Sequence, residues 1–230
     1  MKHFIFLSLL VCLISCQSAK QTSHYQSSWS KYFQKNPNKP PDNFVVMTQN
    51  YLNNSATSRK TIIDLGSGAG NNLKGFLKED YTVFAYDSDP YSIALIGNLQ
   101  THPNQLKIIQ SSFEDIKTLP KNDTVIAWRS LSFMKKNQLM DFWQKINASL
   151  KNDGYFVGTF FGTNHYLKRS KTSRHVTRLT KNEIMSMFNE YQILHFVEVL
   201  QYDEKTSKCR GSEQFEHIYK IIARKKVHVH

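Results

Sequence analysis

The stretch Thr61-Ile62-Ile63-Asp64-Leu65-Gly66-Ser67-Gly68-Ala69-Gly70 constrains this chain more than any other. Thr61 to Leu65 are β-branched or apolar, apart from one acid, as in a buried strand. A glycine-rich turn follows at once. Beyond it, Leu73, Phe76 and Leu77 fall at helical spacing, so the stretch predicts strand, glycine turn and helix. Glycine in such a turn permits positive φ and lets a ligand lie against bare backbone. A helix N-terminus placed there would offer unpaired N–H groups to an electronegative ligand.

The glycine spacing argues against two readings. Gly66, Gly68 and Gly70 form G-x-G-x-G, and Asn71 stands where the dinucleotide fingerprint has its last glycine. No G-K-[ST] follows, so this is not a P-loop. A second apolar run, Thr82-Val83-Phe84-Ala85-Tyr86, ends in Asp87. A carboxylate at a strand end, about 20 residues past the glycines, suits the hydroxyls of a ribose.

Asp64-x-Gly66-x-Gly68-x-Gly70 together with Asp87 resembles the class I S-adenosylmethionine-dependent methyltransferases, and the likeness runs from about Tyr25 to Lys226. It implies a doubly wound, mostly parallel seven-stranded α/β sheet, Rossmann-like, with an antiparallel last strand. It also implies that S-adenosylmethionine is held by Asp64, Gly66, Ser67, Gly68, Gly70, Asp87 and Ser88. Ser112 and Phe113 would hold the adenine after a third strand, Leu106 to Gln110. The family usually has an acidic or small polar residue there, and the acidic form is absent. The ending resembles the small-molecule, tellurite-resistance-like members, with Phe215-Glu216-His217 as a partial match to a histidine or aromatic pair before the last strand.

The rest of the chain supports an alternating fold. Asp89 and Pro90 suit the cap and first position of a helix over Tyr91 to Leu99. Asn122 to Trp128 reads as a fourth strand. Arg129 follows it, placed to pair with the methionine carboxylate, an acidic substrate or a nearby Asp. Gln138 to Leu150 has a strong helical pattern, closed by Asn152-Asp153-Gly154, and Tyr155 to Phe161 reads as a fifth strand. Such alternation argues for a parallel sheet. Thr180-Lys181-Asn182-Glu183 is a capping box, and strands are expected over Gln192 to Val199 and His217 to Ala223.

The N-terminus carries a separate signal. Met1-Lys2-His3 is positive, and Phe4 to Ile14 is nearly continuous apolar sequence, short for a bilayer span but suited to a signal-peptide core. Leu13-Ile14-Ser15-Cys16 resembles a bacterial lipobox, so residues 1–15 read as signal peptide and Cys16 as the lipidated residue of a membrane-anchored lipoprotein. If the signal is unused, the protein is cytoplasmic, where S-adenosylmethionine is made. Residues 16–28 read as a polar tether, 29–226 as the domain and 227–230 as a tail. Trp29, Tyr32 and Phe33 fall at helical spacing, and Trp29 or Tyr32 is placed either to cover the cofactor or to pack.

A formal charge of +12 favours an anionic partner without choosing among small molecule, lipid and nucleic acid. Lys168, Arg169, Lys171, Arg174, Arg178 and Lys181 form a basic run, either a grip on an anionic substrate or a solvated loop. Cys12, Cys16 and Cys209 make neither a metal pattern nor a disulfide framework, and His228 and His230 make no metal site. The expected reaction is direct methyl displacement onto a small-molecule substrate, with no assigned catalytic residue. His165, His195 and His217 are the candidates for a base. A lipid-anchored, catalytically inactive S-adenosylmethionine- or nucleoside-binding protein, a nicotinamide oxidoreductase and a nucleic-acid methyltransferase are the competing readings.

Overall fold

The computed structural model describes residues 28–35, 38–54, 60–99, 101–102, 104–165, 176–202 and 215–227. Cys16, the lipobox, Lys168, Arg169, Lys171, Arg174 and the terminal histidines lie outside them. The strands are β1 (Thr61–Leu65), β2 (Thr82–Asp87), β3 (Leu106–Gln110), β4 (Asn122–Ala127), β5 (Leu150–Gly162), β6 (Arg178–Leu179), β7 (Tyr191–Tyr202) and β8 (Phe215–Lys225). The helices are α1 (Ser28–Lys35), α2 (Asn43–Asn53), α3 (Pro90–Gly97), α4 (Lys136–Ser149) and α5 (Lys181–Met187).

The sheet runs β3-β2-β1-β4-β5-β8-β7, with the short β6 added beside β5. The pairings from β3 through β5 are parallel, and β8 runs antiparallel to both β5 and β7. The expected mostly parallel α/β sheet with an antiparallel last strand is therefore present. Chain order reverses between β1 and β4. In open α/β sheets that reversal opens a crevice beyond the carboxyl ends of the strands.

Side-chain alternation explains the two cores. Ile62 and Ile63 are both fully buried, but they point to opposite faces of β1. Ile63, Val125, Phe156 and Phe160 pack under α4 and α5. Ile62, Ile126 and Val157 pack with Val45 and Leu52 of α2 and Ile96 of α3. Trp143 joins the layers on the first face. Its ring meets Phe156 at 5.0 Å and Phe188 at 4.8 Å, and its indole N–H donates to the Met187 carbonyl at 2.9 Å.

Local signals act as expected at the helix starts. Asp89 caps α3 with Pro90 at its first turn, and Thr180 and Glu183 close a complete capping box on α5. The glycine turn departs from expectation. No α-helix follows it; residues 71–75 are turns, and a short 3-10 helix spans Phe76–Lys78. Leu73, Phe76 and Leu77 are buried all the same. Asn71, Asn72 and Gly75 are weak helix formers, and Asn72 accepts the backbone N–H of Asp42 instead. No helix N-terminus therefore faces the crevice at this turn. Asn152-Asp153-Gly154 also behaves differently: α4 stops at Ser149, and these residues lie inside β5, where Asp153 has φ 61°. No described helix is long and apolar enough to cross a membrane.

Replacing Trp143 with alanine removes a buried aromatic group, so stability measured by denaturant unfolding should fall by about 3–5 kcal/mol. Trp143→Phe keeps the ring and leaves the Met187 carbonyl unpaired, so it should lose only about 1–2 kcal/mol.

Candidate functional site

A cavity of about 1720 Å³ opens beyond the carboxyl ends of β1, β2 and β4. Small-molecule sites are usually about 300–1,000 Å³, so this one has room for two ligands side by side.

The glycine turn forms one end. Gly66 and Ser67 donate their N–H groups to the Tyr86 carbonyl at 2.8 and 3.0 Å, which ties the turn to the end of β2. Ser67 Oγ donates back to the Asp64 carbonyl at 3.0 Å. Gly68, at φ 56°, donates its N–H to Asp87 Oδ2 at 2.8 Å. The other carboxylate oxygen of Asp87 accepts the Asp89 N–H at 2.9 Å. Asp87 thus faces the glycine turn across the cavity mouth, with exposed Ser88 beside it. Gly70 lies outside the lining: a Cβ there would stand 2.7 Å from Leu99 Cδ1, so its bareness serves packing against the residues after α3.

Asp64 sits beneath the turn and is 1% exposed. Burial pushes its carboxyl up to about 7, and the nearby Asp87 charge adds to the effect. Its Oδ2 has no hydrogen-bond partner among the described residues. Burial also raises Asp87, partly offset by the N–H groups it accepts. An orphaned acidic oxygen under a bare-backbone turn, with a second carboxylate above it, fits a cationic nucleoside.

Helix α1 roofs this end. Ser30 Oγ reaches both Asp89 carboxylate oxygens at 3.2 Å, and a Cβ on Gly68 would stand 2.5 Å from the Phe33 ring. Phe33, rather than Trp29 or Tyr32, is the α1 ring against the turn. Ser112 and Phe113 line the cavity, but the Ser112 hydroxyl is bonded to Asp115 at 2.6 Å.

The other end is built from β4, β5 and β8. Arg129 follows β4 at φ 54°, a backbone region that non-glycine residues seldom enter. Its N–H donates to Thr159 Oγ1 at 2.8 Å, and its guanidinium pairs with Glu216 at 2.8 Å. The partner is this glutamate from β8 rather than an aspartate. The walls here are aromatic. Phe133 meets Trp29 at 5.0 Å and Phe161 at 5.5 Å, both edge to face.

Of the three candidate histidines, one, His165, lines the cavity. His217 is buried and turned to Glu198 at 2.9 Å, and His195 is bonded to the Tyr51 hydroxyl at 2.8 Å, outside the cavity lining. In the basic run, Arg178 donates to the His165 carbonyl at 2.5 Å, and Lys181 lies 5.5 Å over the Phe196 ring. Among the described residues no group of His, Cys, Asp and Glu is arranged to hold a metal. The sequence reading gave no role to Phe33, Phe133, Phe161 or Glu216. The available signal was their position within or just after strands, or in the same short segment as a named residue.

A sequence model of the family described as a methyltransferase domain matches residues 62–154. No curated protein matches by sequence. Among solved structures, TehB from Haemophilus influenzae is similar with a TM-score of 0.65 at 17% identity, over 86% of this chain and 67% of that one. The magnesium protoporphyrin IX methyltransferase of Synechocystis, solved with bound S-adenosylmethionine, gives 0.60 at 12% identity, over 88% and 94%. The 1,6-didemethyltoxoflavin-N1-methyltransferase of Burkholderia thailandensis, with its 1,6-didemethyltoxoflavin and S-adenosylhomocysteine, gives 0.56 at 17% identity, over 80% and 77%. The fold is the class I methyltransferase fold.

The raised Asp64 carboxyl has a measurable consequence. Its folded value near 7 lies above its ordinary 3.8, so between these the folded state holds a proton that the unfolded chain has released. The stabilisation from Asp64 is therefore complete in acid and is lost as pH rises through 7. The melting temperature should fall more steeply from about pH 5 to about pH 8.5 in the wild type than in Asp64→Asn.

Proposed function

We propose that this chain, whose residues 62–154 carry a methyltransferase domain with S-adenosylmethionine as its methyl donor, methylates a small molecule by direct displacement. The observation that carries the reading is the Asp87 carboxylate bonded to the Gly68 N–H at the mouth of a two-ligand cavity. Asp87 and the glycine turn would hold the nucleoside of the donor, and the carboxylates Asp64 and Asp87 suit its positive charge. S-adenosylmethionine supplies an already activated methyl group.

What remains for the chain is alignment and exclusion of water. Trp29, Phe33, Phe133 and Phe161 give the cavity aromatic walls, which favour a cation and a flat apolar body together. No residue is assigned as a base. His195 lies outside the cavity lining and His217 is engaged by Glu198. A lipid on Cys16 would hold the domain at a membrane, as the lipobox-like Leu13-Ile14-Ser15-Cys16 implies.

Isothermal titration should show wild-type protein binding S-adenosylmethionine and its demethylated product. Asp87→Ala should weaken both by about tenfold or more while circular dichroism stays unchanged, since it removes charge-assisted contacts. Wild-type protein that binds neither at millimolar concentration would sink the reading. Donor binding with no release of demethylated donor over a broad substrate panel would leave a binding protein instead. For the anchor, cells fed labelled palmitate should incorporate label into the wild type and not into Cys16→Ser.

A further inference from the structure

Among the described residues His165 is the one histidine on the cavity lining, and its hydrogen bonds decide what it can do there. The His217 backbone N–H donates to His165 Nδ1 at 3.2 Å. A nitrogen that accepts an N–H carries no proton, so the neutral ring holds its proton on Nε2. That Nε2 is buried and has no partner among the described residues. The ring is 5% exposed and lies flat on Phe161, with centroids 3.8 Å apart and planes 12° apart. Its place in the fold is therefore fixed on one face and at one nitrogen, while one buried donor is left over on a residue that lines the cavity.

The neighbours keep that ring neutral. Burial is the largest effect and brings His165 down to about 4; Glu216 opposes it, while Arg178, Arg129 and His217 add to it. His217 shows the same arrangement one step further on. Its Nδ1 accepts the Asn164 N–H at 3.2 Å, so its Nε2 donates to Glu198. For His217 the donor has found a carboxylate; for His165 the corresponding donor has not. Gly162 makes room for this pair, because a Cβ there would run into the His217 ring.

Resting on the methyltransferase reading above, we propose that His165 is a substrate-reading donor and not a base. Its Nε2–H meets a ring nitrogen or oxygen acceptor on a planar aromatic substrate, seated between the Phe161–Phe133–Trp29 wall and the Arg129–Glu216 pair. A base at this position would need a free lone pair on the cavity side, and the backbone of His217 has already taken the lone pair of Nδ1. An aromatic substrate follows from the aromatic wall, whose rings meet edge to face, and an acceptor follows from the unmet donor.

The test uses two probes of one shape. Quinoline has a ring-nitrogen acceptor and naphthalene does not. Trp29 fluorescence with donor product present should show quinoline binding about tenfold or more tighter than naphthalene, the worth of one buried hydrogen bond. His165→Phe keeps the stacked ring and loses the donor, so the preference should vanish; His165→Gln restores a donor and should recover part of it. Long-range nitrogen–proton spectra should place the His165 proton on Nε2 between about pH 5.5 and about pH 8, above its lowered titration range. An unchanged preference in His165→Phe, a proton on Nδ1, or no quinoline binding at all overturns the proposal. Donor titration of the wild type separates the two readings. If the donor binds and quinoline shows no preference, only the role of His165 falls; if the donor does not bind, the methyltransferase reading falls with it.

Discussion

Asp87 holds the site together by accepting two backbone N–H groups at once, from Gly68 at 2.8 Å and from Asp89 at 2.9 Å. The first contact fixes the turn after β1 against the end of β2. The second fixes the start of α3, where Asp89 is the cap. Asp89 then reaches Ser30, so α1 is carried by the same chain of contacts. One carboxylate at a strand end therefore sets the position of three elements around the cavity. A half-buried charge can serve this way because each N–H it accepts repays part of its desolvation.

The charge distribution runs against the composition. The chain carries +12 overall, yet the groups nearest the glycine turn are Asp64, Asp87 and Asp89. Burial and mutual repulsion push Asp64 toward its neutral form. A cation in that end of the cavity reverses both effects, since it stabilises the ionised carboxylates it approaches. At the other end Arg129 is already paired with Glu216, so its own charge there is compensated. Net charge was thus a poor guide to what the cavity takes, because surface lysines set the total and a few buried acids set the local field.

Where local chemistry decides structure, the sequence was readable. β-branched runs became the central strands, and Asp89-Pro90 and Thr180-Glu183 became helix starts. The stretch after the glycines was not readable in the same way. Leu73, Phe76 and Leu77 satisfy helical spacing, but burial alone was satisfied by turns, and Gly75 sits close against Gln49 of α2. Gly70 matched the glycine spacing yet packs on Leu99 and Ile96, which only the tertiary fold reveals. The Arg129–Glu216 pair was also out of reach. It exists because β8 is inserted between β5 and β7, and no local pattern around Arg129 encodes that pairing.

The cavity draws on two parts of the chain. Asp64, the glycine turn, Asp87, Ser112, Phe113 and Arg129 all fall inside the segment that matches a methyltransferase domain. Trp29, Phe33, Phe161, His165 and Glu216, which close the cavity, all fall outside it. Both ends are therefore mixed: Arg129 and Phe133 come from the matching segment and Phe33 of α1, against the glycine turn, comes from its flank. Structures at 12–17% identity share the sheet with this chain, and that likeness reaches the fold alone. Their substrates therefore say little about this one. The acceptor-bearing flat molecule has to be read from what stands opposite the donor: an aromatic wall, one compensated ion pair, and a histidine whose only free hydrogen has no partner among the described residues.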